Sequence, residues 1–237
     1  YMFLDKGKKI VTTLHDVGDY SESGLVGKAR KIYRGFIDHF IFKYSDILHT
    51  HSEAAKDKLI RNGAPAEKII VSPLGIFYKP KFMDKDYCKK RLGLGGKKVI
   101  LLFGFVHRNK GHDIVLEILP SLEKAVLIIA GKAKDEPFLV SLKSRARELG
   151  IADRVVFHGE FSEAEAPVIL NAADVAILPY RKITQSDVLG KLLSYRIPTI
   201  TSNLDFFREV ESQKCILVFR NTLELKAAIK KILSGGN

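Results

Sequence analysis

A strand-to-helix turn near the middle of the chain combines a glycine with several cations. Residues 103–111 read Phe-Gly-Phe-Val-His-Arg-Asn-Lys-Gly and lie between an apolar run and a helical pattern. Gly104 lets the backbone approach a ligand, the helix start offers free N–H groups, and Arg108 and Lys110 add positive charge. This chemistry suits a diphosphate. A solvated loop is the alternative interpretation of the same residues.

A second loop carries hydroxyl and amide groups ahead of a helix. Gln185 and Ser186 stand just before a helix predicted to begin near Asp187, so backbone N–H groups converge where an anion could sit. Both loops follow strands. Because the carboxyl ends of parallel strands meet at one edge of a sheet, the two loops together can hold one nucleotide from two sides.

The elements that position these loops alternate between short β-branched runs and helical periods. This pattern predicts an α/β fold, with a parallel sheet covered by helices on both faces. Capping pairs support two helix starts, Ser162 with Glu165 and Asn221 with Glu224. The predicted strands lie at about 99–103, 125–130, 155–158, 175–178, 199–201 and 216–219, and the helices at about 110–122, 137–149, 163–171, 187–195, 204–210 and 223–233. Residues 95–237 therefore make one doubly wound, nucleotide-binding domain.

The first part of the chain, residues 1–94, reads less completely. It contains predicted strands at about 10–14, 47–50 and 69–72, helices at about 26–41, 52–62 and 86–92, and a Pro- and Gly-rich connection at 73–96. Three strands make a poor parallel domain, so we expect the chain to begin inside its first domain.

Composition narrows the classes of protein and partner. With 46% hydrophobic residues the chain can bury a real core, and no apolar run reaches the roughly 18 residues that a transmembrane helix needs. No cleavable signal peptide opens the sequence, and only Cys88 and Cys215 are present, without metal-ligand spacing. We therefore expect a cytoplasmic protein without structural zinc or disulfides.

A formal charge of +12 calls for an anionic partner. Part of it lies on a predicted amphipathic helix, whose basic residues are Lys28, Arg30, Lys31, Arg34 and Lys43 and whose apolar residues include Tyr33, Phe36, Ile37 and Phe40. Such a helix either packs its apolar face on its own sheet or docks peripherally on an anionic membrane surface. Nucleic acid is not expected, because aromatic RNA-binding patterns, zinc fingers and helix-turn-helix spacing are all missing.

The order of motifs resembles glycosyltransferase family 4 of the GT-B fold, whose members have two Rossmann-like domains. Residues 104–111 are similar to the family's Gly-Arg and Glu-Lys-Gly loop, and residues 184–189, Thr-Gln-Ser-Asp-Val-Leu, are similar to its Thr-Gln-Ser-Gly-Val variant. Further resemblances lie at 11–16 (Val-Thr-Thr-Leu-His-Asp), 50–53 (Thr-His-Ser-Glu), 71–76 (Val-Ser-Pro-Leu-Gly-Ile), 152–159 (Ala-Asp-Arg-Val-Val-Phe-His-Gly) and 172–179 (Ala-Ala-Asp-Val-Ala-Ile-Leu-Pro). No single stretch is decisive, but their occurrence in this order is specific for the family.

The resemblance implies a retaining transfer from a nucleoside-diphosphate sugar, in a cleft between a partial acceptor domain (1–94) and a donor domain (95–237). Lys110, with Arg108 as a second cation, would neutralise the leaving diphosphate, and amides from Ser186 to Val188 would hydrogen-bond it without a metal or other cofactor. The other implied site residues are Gly159, Glu160 and Phe161 along the base, and His15, which would project toward the transferred sugar. Without the resemblance, His15 reads as a loop histidine bonded locally.

Several positions depart from the family pattern. Its two donor-loop glutamates correspond to Ile183 and Lys191, and a lysine has no acceptor for a ribose diol. Asp187 stands where the variant has glycine, and Phe105 stands where an arginine is usual. Asp187 and Lys191 could instead pair with each other on the helix surface. The alternative function is therefore a GT-B-like binding or regulatory subunit without turnover.

Two other interpretations are weaker. A sugar-nucleotide epimerase of similar fold does not account for the Thr-Gln-Ser loop and the Leu-His-Asp strand together. Asp84-Lys85-Asp86 spells a metal-binding Asp-x-Asp, but it precedes a short helix rather than following an apolar strand, so we expect it to serve the helix start. The sequence leaves the sugar, the base and the acceptor open.

Overall fold

The computed structural model describes residues 8–15, 25–73, 78–183, 185–212 and 214–235, and in the helix that begins at Leu25 it describes no side chain before residue 33 and none at residue 34. The expectations about Asp16, Thr184, residues 74–76 and the basic side chains at positions 28, 30, 31 and 34 lie outside the described residues. The chain divides into two compact units, Tyr1–Gly75 and Ile76–Asn237.

The first unit is a three-stranded parallel sheet with two helices. The strands β1 (Val11–Thr13), β2 (Ile47–Thr50) and β3 (Ile69–Val71) lie in the order β1-β2-β3, and the helices are α1 (Leu25–Tyr44) and α2 (Glu53–Arg61). Leu48 pairs with Ile69 across the sheet, and both are buried with Phe42, Ala55 and Leu59. The Ser52 hydroxyl accepts a hydrogen bond from the Ala55 amide (3.1 Å), which caps α2.

The aromatic stripe of α1 stays on the surface. Tyr33 is 67% exposed, Phe36 63% and Phe40 43%, while the neighbouring Phe42 faces the core. The interpretation that α1 packs this stripe on its own sheet is therefore wrong for these three side chains within the described part of the chain. Among the described residues, no helix has the length and hydropathy needed to cross a bilayer.

The second unit contains a six-stranded parallel sheet. In chain order its strands are β4 (Lys98–Phe103), β5 (Ala125–Ala130), β6 (Val155–Gly159), β7 (Val175–Leu178), β8 (Thr199–Ser202) and β9 (Leu217–Phe219). They lie in the order β6-β5-β4-β7-β8-β9, so the order reverses between β4 and β7. This is the doubly wound Rossmann arrangement that the sequence predicted. In such sheets ligands bind where the strand order reverses, at the carboxyl ends of the strands.

Helices cover both faces of this sheet because strand side chains alternate between two core layers. Ile100, Leu102 and Leu127 face one layer, and Val99, Leu101 and Val126 face the other. The helices of the first layer are α4 (His112–Ile118), α5 (Glu136–Glu148) and α9 (Thr222–Leu233), and those of the second are α6 (Ala166–Ala172), α7 (Asp187–Ser194) and α8 (Asp205–Glu211).

The helix predicted at about 110–122 is broken into three pieces. A 3-10 turn, Arg108–Lys110, precedes α4, and another, Leu119–Ser121, follows it. Gly111 has the left-handed φ of 65° and separates the first turn from α4, while Pro120 has no N–H to continue the helix. The caps are as predicted at α9, where Asn221 accepts from the Glu224 amide (2.9 Å), whereas Ser162 and Glu165 bond to each other in the turn before α6.

Residues 78–94 group with the second unit, which differs from the predicted division after residue 94. Helix α3 (Lys85–Arg91) buries Cys88 against Val168 and Ala172 of α6. The buried Lys89 ammonium lies 2.7 Å from the Asp174 carboxylate. Asp84 caps α3 by accepting from the Tyr87 amide (2.7 Å), as expected for a helix start.

Candidate functional site

The two predicted loops follow β4 and β7, the strands that flank the reversal of strand order. Glycine brings them together. Gly104 has a φ of 107°, and a Cβ there would lie 3.1 Å from the Val188 side chain at the start of α7. A Cβ on Gly131 would lie 1.9 Å from the Gly104 carbonyl oxygen, so the loops after β4 and β5 pack closely enough to require glycine.

Gly111 closes the other end of the first loop. Its φ of 65° is left-handed, and a Cβ would lie 2.0 Å from the Pro179 carbonyl oxygen in the second loop. Asn109 accepts a hydrogen bond from the Arg181 amide (2.8 Å). The backbones of the two loops therefore touch without an intervening side chain.

Lys110 lies where the two loops meet and is not used in the contact between their backbones. Its Nζ lies 3.6 Å from the centroid of the buried Tyr180 ring, and the described residues offer it no carboxylate within ion-pair distance. Burial lowers its pKa from 10.5 to about 8, because removal from water disfavours the charged form. A half-buried ammonium without a counter-ion is suited to an anionic ligand.

Arg108, expected as a second cation, is already occupied. Its Nε lies 3.0 Å from Asp135, and its guanidinium lies 5.3 Å from the Phe138 ring, beside α5. Arg108 and Lys110 therefore have different surroundings, although only one residue lies between them.

The start of α7 supplies backbone donors beside Gly104. The hydroxyl of Ser186 accepts from the Leu189 amide (3.1 Å) and caps the helix; Gln185 directly precedes it. The first amides of a helix have no partner within the helix. Those of Asp187 and Val188 stand at the helix start that lies beside Gly104. Asp187 is exposed at the first helical position, where a carboxylate competes with an anionic ligand.

Lys191 lies on α7 between two aromatic rings. Its ammonium is 4.5 Å from the Tyr78 ring centroid and 5.8 Å from that of Phe103. In the part of the chain that the structure describes, no ion pair joins it to Asp187, so the surface pair considered from the sequence does not form there. Ile183 packs against the second core layer.

The residues expected along the base lie at the end of β6. Gly159 has a φ of 77°, and its carbonyl accepts from the Gly131 amide (2.8 Å). The Phe161 ring is 4.8 Å from that of Phe103, and Glu160 pairs with Lys132 at 3.1 Å. A cleft of about 280 Å³ opens here, lined among others by Gly131, Lys132, Gly159 and Glu160.

His15 lies in the first unit, within a group of three histidines at the carboxyl ends of β1 and β2. The His51 Nδ1 is 3.1 Å from the Ser72 carbonyl oxygen, and its Nε2 is 3.2 Å from the His15 Nδ1. A carbonyl only accepts, so in a neutral His51 ring Nδ1 carries the hydrogen and Nε2 accepts one from His15. His49 contacts the His51 ring edge-on, a contact that sequence reasoning missed.

Comparison with known proteins identifies the family. The profile of the family described as "Glycosyl transferases group 1" matches residues 97–235, more than half of the chain. The chain belongs to the group 1 glycosyl transferases.

This group 1 glycosyl transferase aligns with only part of each curated relative. Mannosylfructose-phosphate synthase of Agrobacterium fabrum is 27% identical in an alignment of length 179, which covers 69% of this chain and 39% of that protein. D-inositol 3-phosphate glycosyltransferase of Xylanimonas cellulosilytica is 31% identical in an alignment of length 168, which covers 67% of this chain and 40% of that protein. The chain thus matches about two fifths of the length of these curated relatives.

Solved structures confirm the fold of this group 1 glycosyl transferase. Anabaena HepE, crystallised in complex with UDP, superposes with a TM-score of 0.81 at 18% identity, over 96% of this chain and 63% of that one. WaaG, a glycosyltransferase involved in lipopolysaccharide biosynthesis, gives a TM-score of 0.75 at 18% identity, over 94% and 65%. The α/β fold with parallel sheets is therefore that of the GT-B glycosyltransferases.

Proposed function

We propose that this chain carries the donor-binding part of a retaining glycosyltransferase that uses a nucleoside-diphosphate sugar. The observation that carries the proposal is the place of Lys110. Its ammonium lies at the reversal of strand order, without a carboxylate partner in the described residues, on a loop that packs against the start of α7.

The proposed step is the transfer of a hexosyl group. The bond between the anomeric carbon and the diphosphate oxygen breaks, and the diphosphate leaves with the electron pair. The acceptor hydroxyl forms the new bond on the same face and passes its proton to the departing diphosphate. Lys110 and the amides of Asp187 and Val188 would stabilise the charge that develops on the diphosphate, without a metal ion. The UDP bound to HepE supports a nucleotide donor.

Two further assignments concern the base and the transferred sugar. We assign the base to Gly159, Glu160 and Phe161. The first two line a cleft that opens at the carboxyl ends of neighbouring strands. We assign His15 to the transferred sugar, with its ring held by His51.

We further propose a lipid-linked acceptor, with the protein at the cytoplasmic face of an anionic membrane. The support is the exposed stripe of Tyr33, Phe36 and Phe40 on α1, since aromatic side chains beside cations suit the lipid interface. WaaG, named for lipopolysaccharide biosynthesis, has a similar fold.

Vesicle flotation tests the membrane part. The protein is expected to float with vesicles containing anionic phospholipid, and a Phe36→Ser, Phe40→Ser variant is expected to stay at the bottom. Leu223→Ser, which removes a side chain that is 78% exposed in the second unit, serves as the control and should float. Equal flotation of all three proteins would contradict a membrane role for α1 and favour a soluble acceptor.

A second candidate function is a binding or regulatory subunit without turnover. Two observations favour it: the exposed Asp187 at the anion-binding end of α7, and Lys191 where the family has a carboxylate. Such a subunit would not cleave a sugar nucleotide, whether or not it binds one.

Donor cleavage distinguishes the two functions. The protein and its Lys110→Met variant are incubated with UDP-glucose, GDP-mannose and ADP-glucose, and nucleoside diphosphate and the new sugar anomer are followed by NMR. We expect release from one donor, an axial anomeric product and strong loss in the variant. An inverted product would contradict retention. Nucleotide binding without any release would support the second function.

A further inference from the structure

The Arg181 side chain joins the two site loops. Its Nη1 donates to the Arg108 carbonyl oxygen (2.8 Å) and to Oδ1 of Asp113 (2.9 Å), and its Nη2 donates to Oδ2 of Asp113 (2.6 Å). Its amide donates to the Asn109 carbonyl oxygen (2.8 Å). One residue of the second loop therefore contacts the two residues that precede Lys110 and a residue of α4.

The turn that carries Lys110 has little structure of its own. It is three residues long, and its internal backbone hydrogen bonds are those from the Lys110 amide to His107 (2.8 Å) and from the Gly111 amide to Arg108 (3.2 Å). Gly111, directly after it, separates it from α4. Arg108 also pairs with Asp135 through its side chain, but the contacts from the second loop hold the backbone carbonyls directly before Lys110.

We infer that Arg181 is a positioning residue, which holds the Arg108–Lys110 turn so that the Lys110 ammonium stays over Tyr180 at the diphosphate position. The inference deepens the proposed function and rests on it for the identity of the ligand. The contact itself does not depend on the ligand.

Arg181 is poorly suited to bind the phosphate itself. Both branches of its guanidinium donate to protein atoms, and Asp113 balances its charge. Burial alone would raise the pKa of Asp113, but the hydrogen bonds and charge of Arg181 outweigh it, and that pKa lies below its ordinary value. The pair thus remains charged at neutral pH, and the charge of Arg181 is balanced within the protein.

A matched ion pair exists elsewhere in the same unit. Arg145 of α5 binds Glu117 of α4 through two hydrogen bonds (2.6 and 3.0 Å), with side-chain exposures of 45% and 46%. Arg181 and Asp113 are 44% and 37% exposed. Arg145→Met therefore removes the same chemistry at similar exposure, away from both loops.

Hydrogen exchange tests the contact without any ligand. In Arg181→Met the amides of residues 104–112 are expected to exchange about tenfold faster than in the parent, since an opened turn exposes its hydrogen bonds. In Arg145→Met these amides should keep the parent rate. Unchanged exchange in Arg181→Met, with the variant folded by circular dichroism, would overturn the inference.

Nucleotide affinity tests the role. Arg181→Met and Asp113→Asn should each weaken binding of the preferred diphosphate, UDP, GDP or ADP, by about fivefold. If Arg181 bound phosphate directly, Asp113→Asn would free it and strengthen binding, which would refute the positioning role. If the parent binds none of the three nucleotides, the proposed function fails, and the exchange experiment alone decides whether Arg181 holds the turn.

Discussion

The ammonium of Lys110 lies 3.6 Å from the centroid of the Tyr180 ring, so a cation of the loop after β4 rests on an aromatic ring of the loop after β7. The ring is 4% exposed and covers one side of the ammonium. Lys110 therefore gives up part of its hydration in the absence of a ligand, and an anion at this position would compensate for that loss.

This burial predicts a pH dependence of stability. The unfolded chain keeps the Lys110 proton up to about pH 10.5, whereas the folded chain releases it near pH 8. Between these values the unfolded state binds more protons, so this residue's contribution to stability rises with pH and is lost as pH falls through 8. We expect Lys110→Met to be more stable than the parent at pH 7 and to lose that advantage by pH 10.5, measured by urea unfolding. An advantage that is constant with pH would contradict the burial of a charged ammonium.

The close approach of the loops predicts that Gly111 accepts no side chain. Gly111→Ala places a Cβ 2.0 Å from the Pro179 carbonyl oxygen, whereas Gly150, with nearly the same φ of 66°, has no atom within 4 Å of an added Cβ. Gly150→Ala should cost about 1 kcal/mol from backbone strain alone, and Gly111→Ala should cost at least twice as much and abolish nucleotide binding. Equal loss of unfolding free energy in the two variants would show that the loops separate easily.

The carboxylate of Asp187 should lower the affinity of the proposed donor site for a diphosphate, because it is a negative charge at the start of α7. Asp187→Asn removes a negative charge from the first position of α7, so diphosphate affinity should rise roughly two- to fivefold while the helix loses about 0.5 kcal/mol. Asp205→Asn, at the first position of α8, should cost similar stability and leave the affinity unchanged. Isothermal titration with UDP, GDP and ADP measures both. Weaker binding in Asp187→Asn would mean that this carboxylate contacts the ligand favourably.

The neutral ring of His112 predicts sensitivity to acid. Burial is the main reason that its pKa falls from 6.5 to about 4, and its side chain is 3% exposed. Between pH 6.5 and 4 this histidine is protonated in the unfolded chain but not in the folded chain. The unfolding free energy of the parent should therefore fall by up to about 3 kcal/mol over this range. His112→Leu should lose less over this range, and the exposed His39→Leu should behave as the parent. Parallel stability curves for all three proteins would exclude His112 as the acid-sensitive group.

Much of the second unit could be predicted from the sequence, because its central strands are apolar runs buried on both faces. The strands at 125–130 and 175–178 have the predicted bounds. The helix predicted at 110–122 was too long at both ends. The apolar periodicity continues through Gly111 and Pro120, whereas the α-helical backbone does not. The exposure of the aromatic stripe on α1 was also open, because an amphipathic pattern does not say what covers it.

The meeting of the two loops could be predicted, but their side-chain pairings could not. Gly104 lies beside Val188 and Gly111 beside Pro179, as the order of strands requires. The partner of Arg108 is Asp135, 27 residues away, and that of Arg181 is Asp113, 68 residues away. Such pairings depend on which loops meet in space, and spacing along one sequence does not contain that information.

Thermal unfolding with UDP, GDP and ADP in turn, at millimolar concentration, tests the central claim most directly. Parent, Lys110→Ala and the control Lys124→Ala, whose lysine precedes β5 at the opposite edge of the sheet, are compared. A nucleotide at ten times its dissociation constant should add roughly 1.4 kcal/mol to the unfolding free energy. We predict that one of the three raises the melting temperature of the parent and of Lys124→Ala but not of Lys110→Ala. No shift with any nucleotide, or an equal shift in all three proteins, would contradict a diphosphate site built on Lys110.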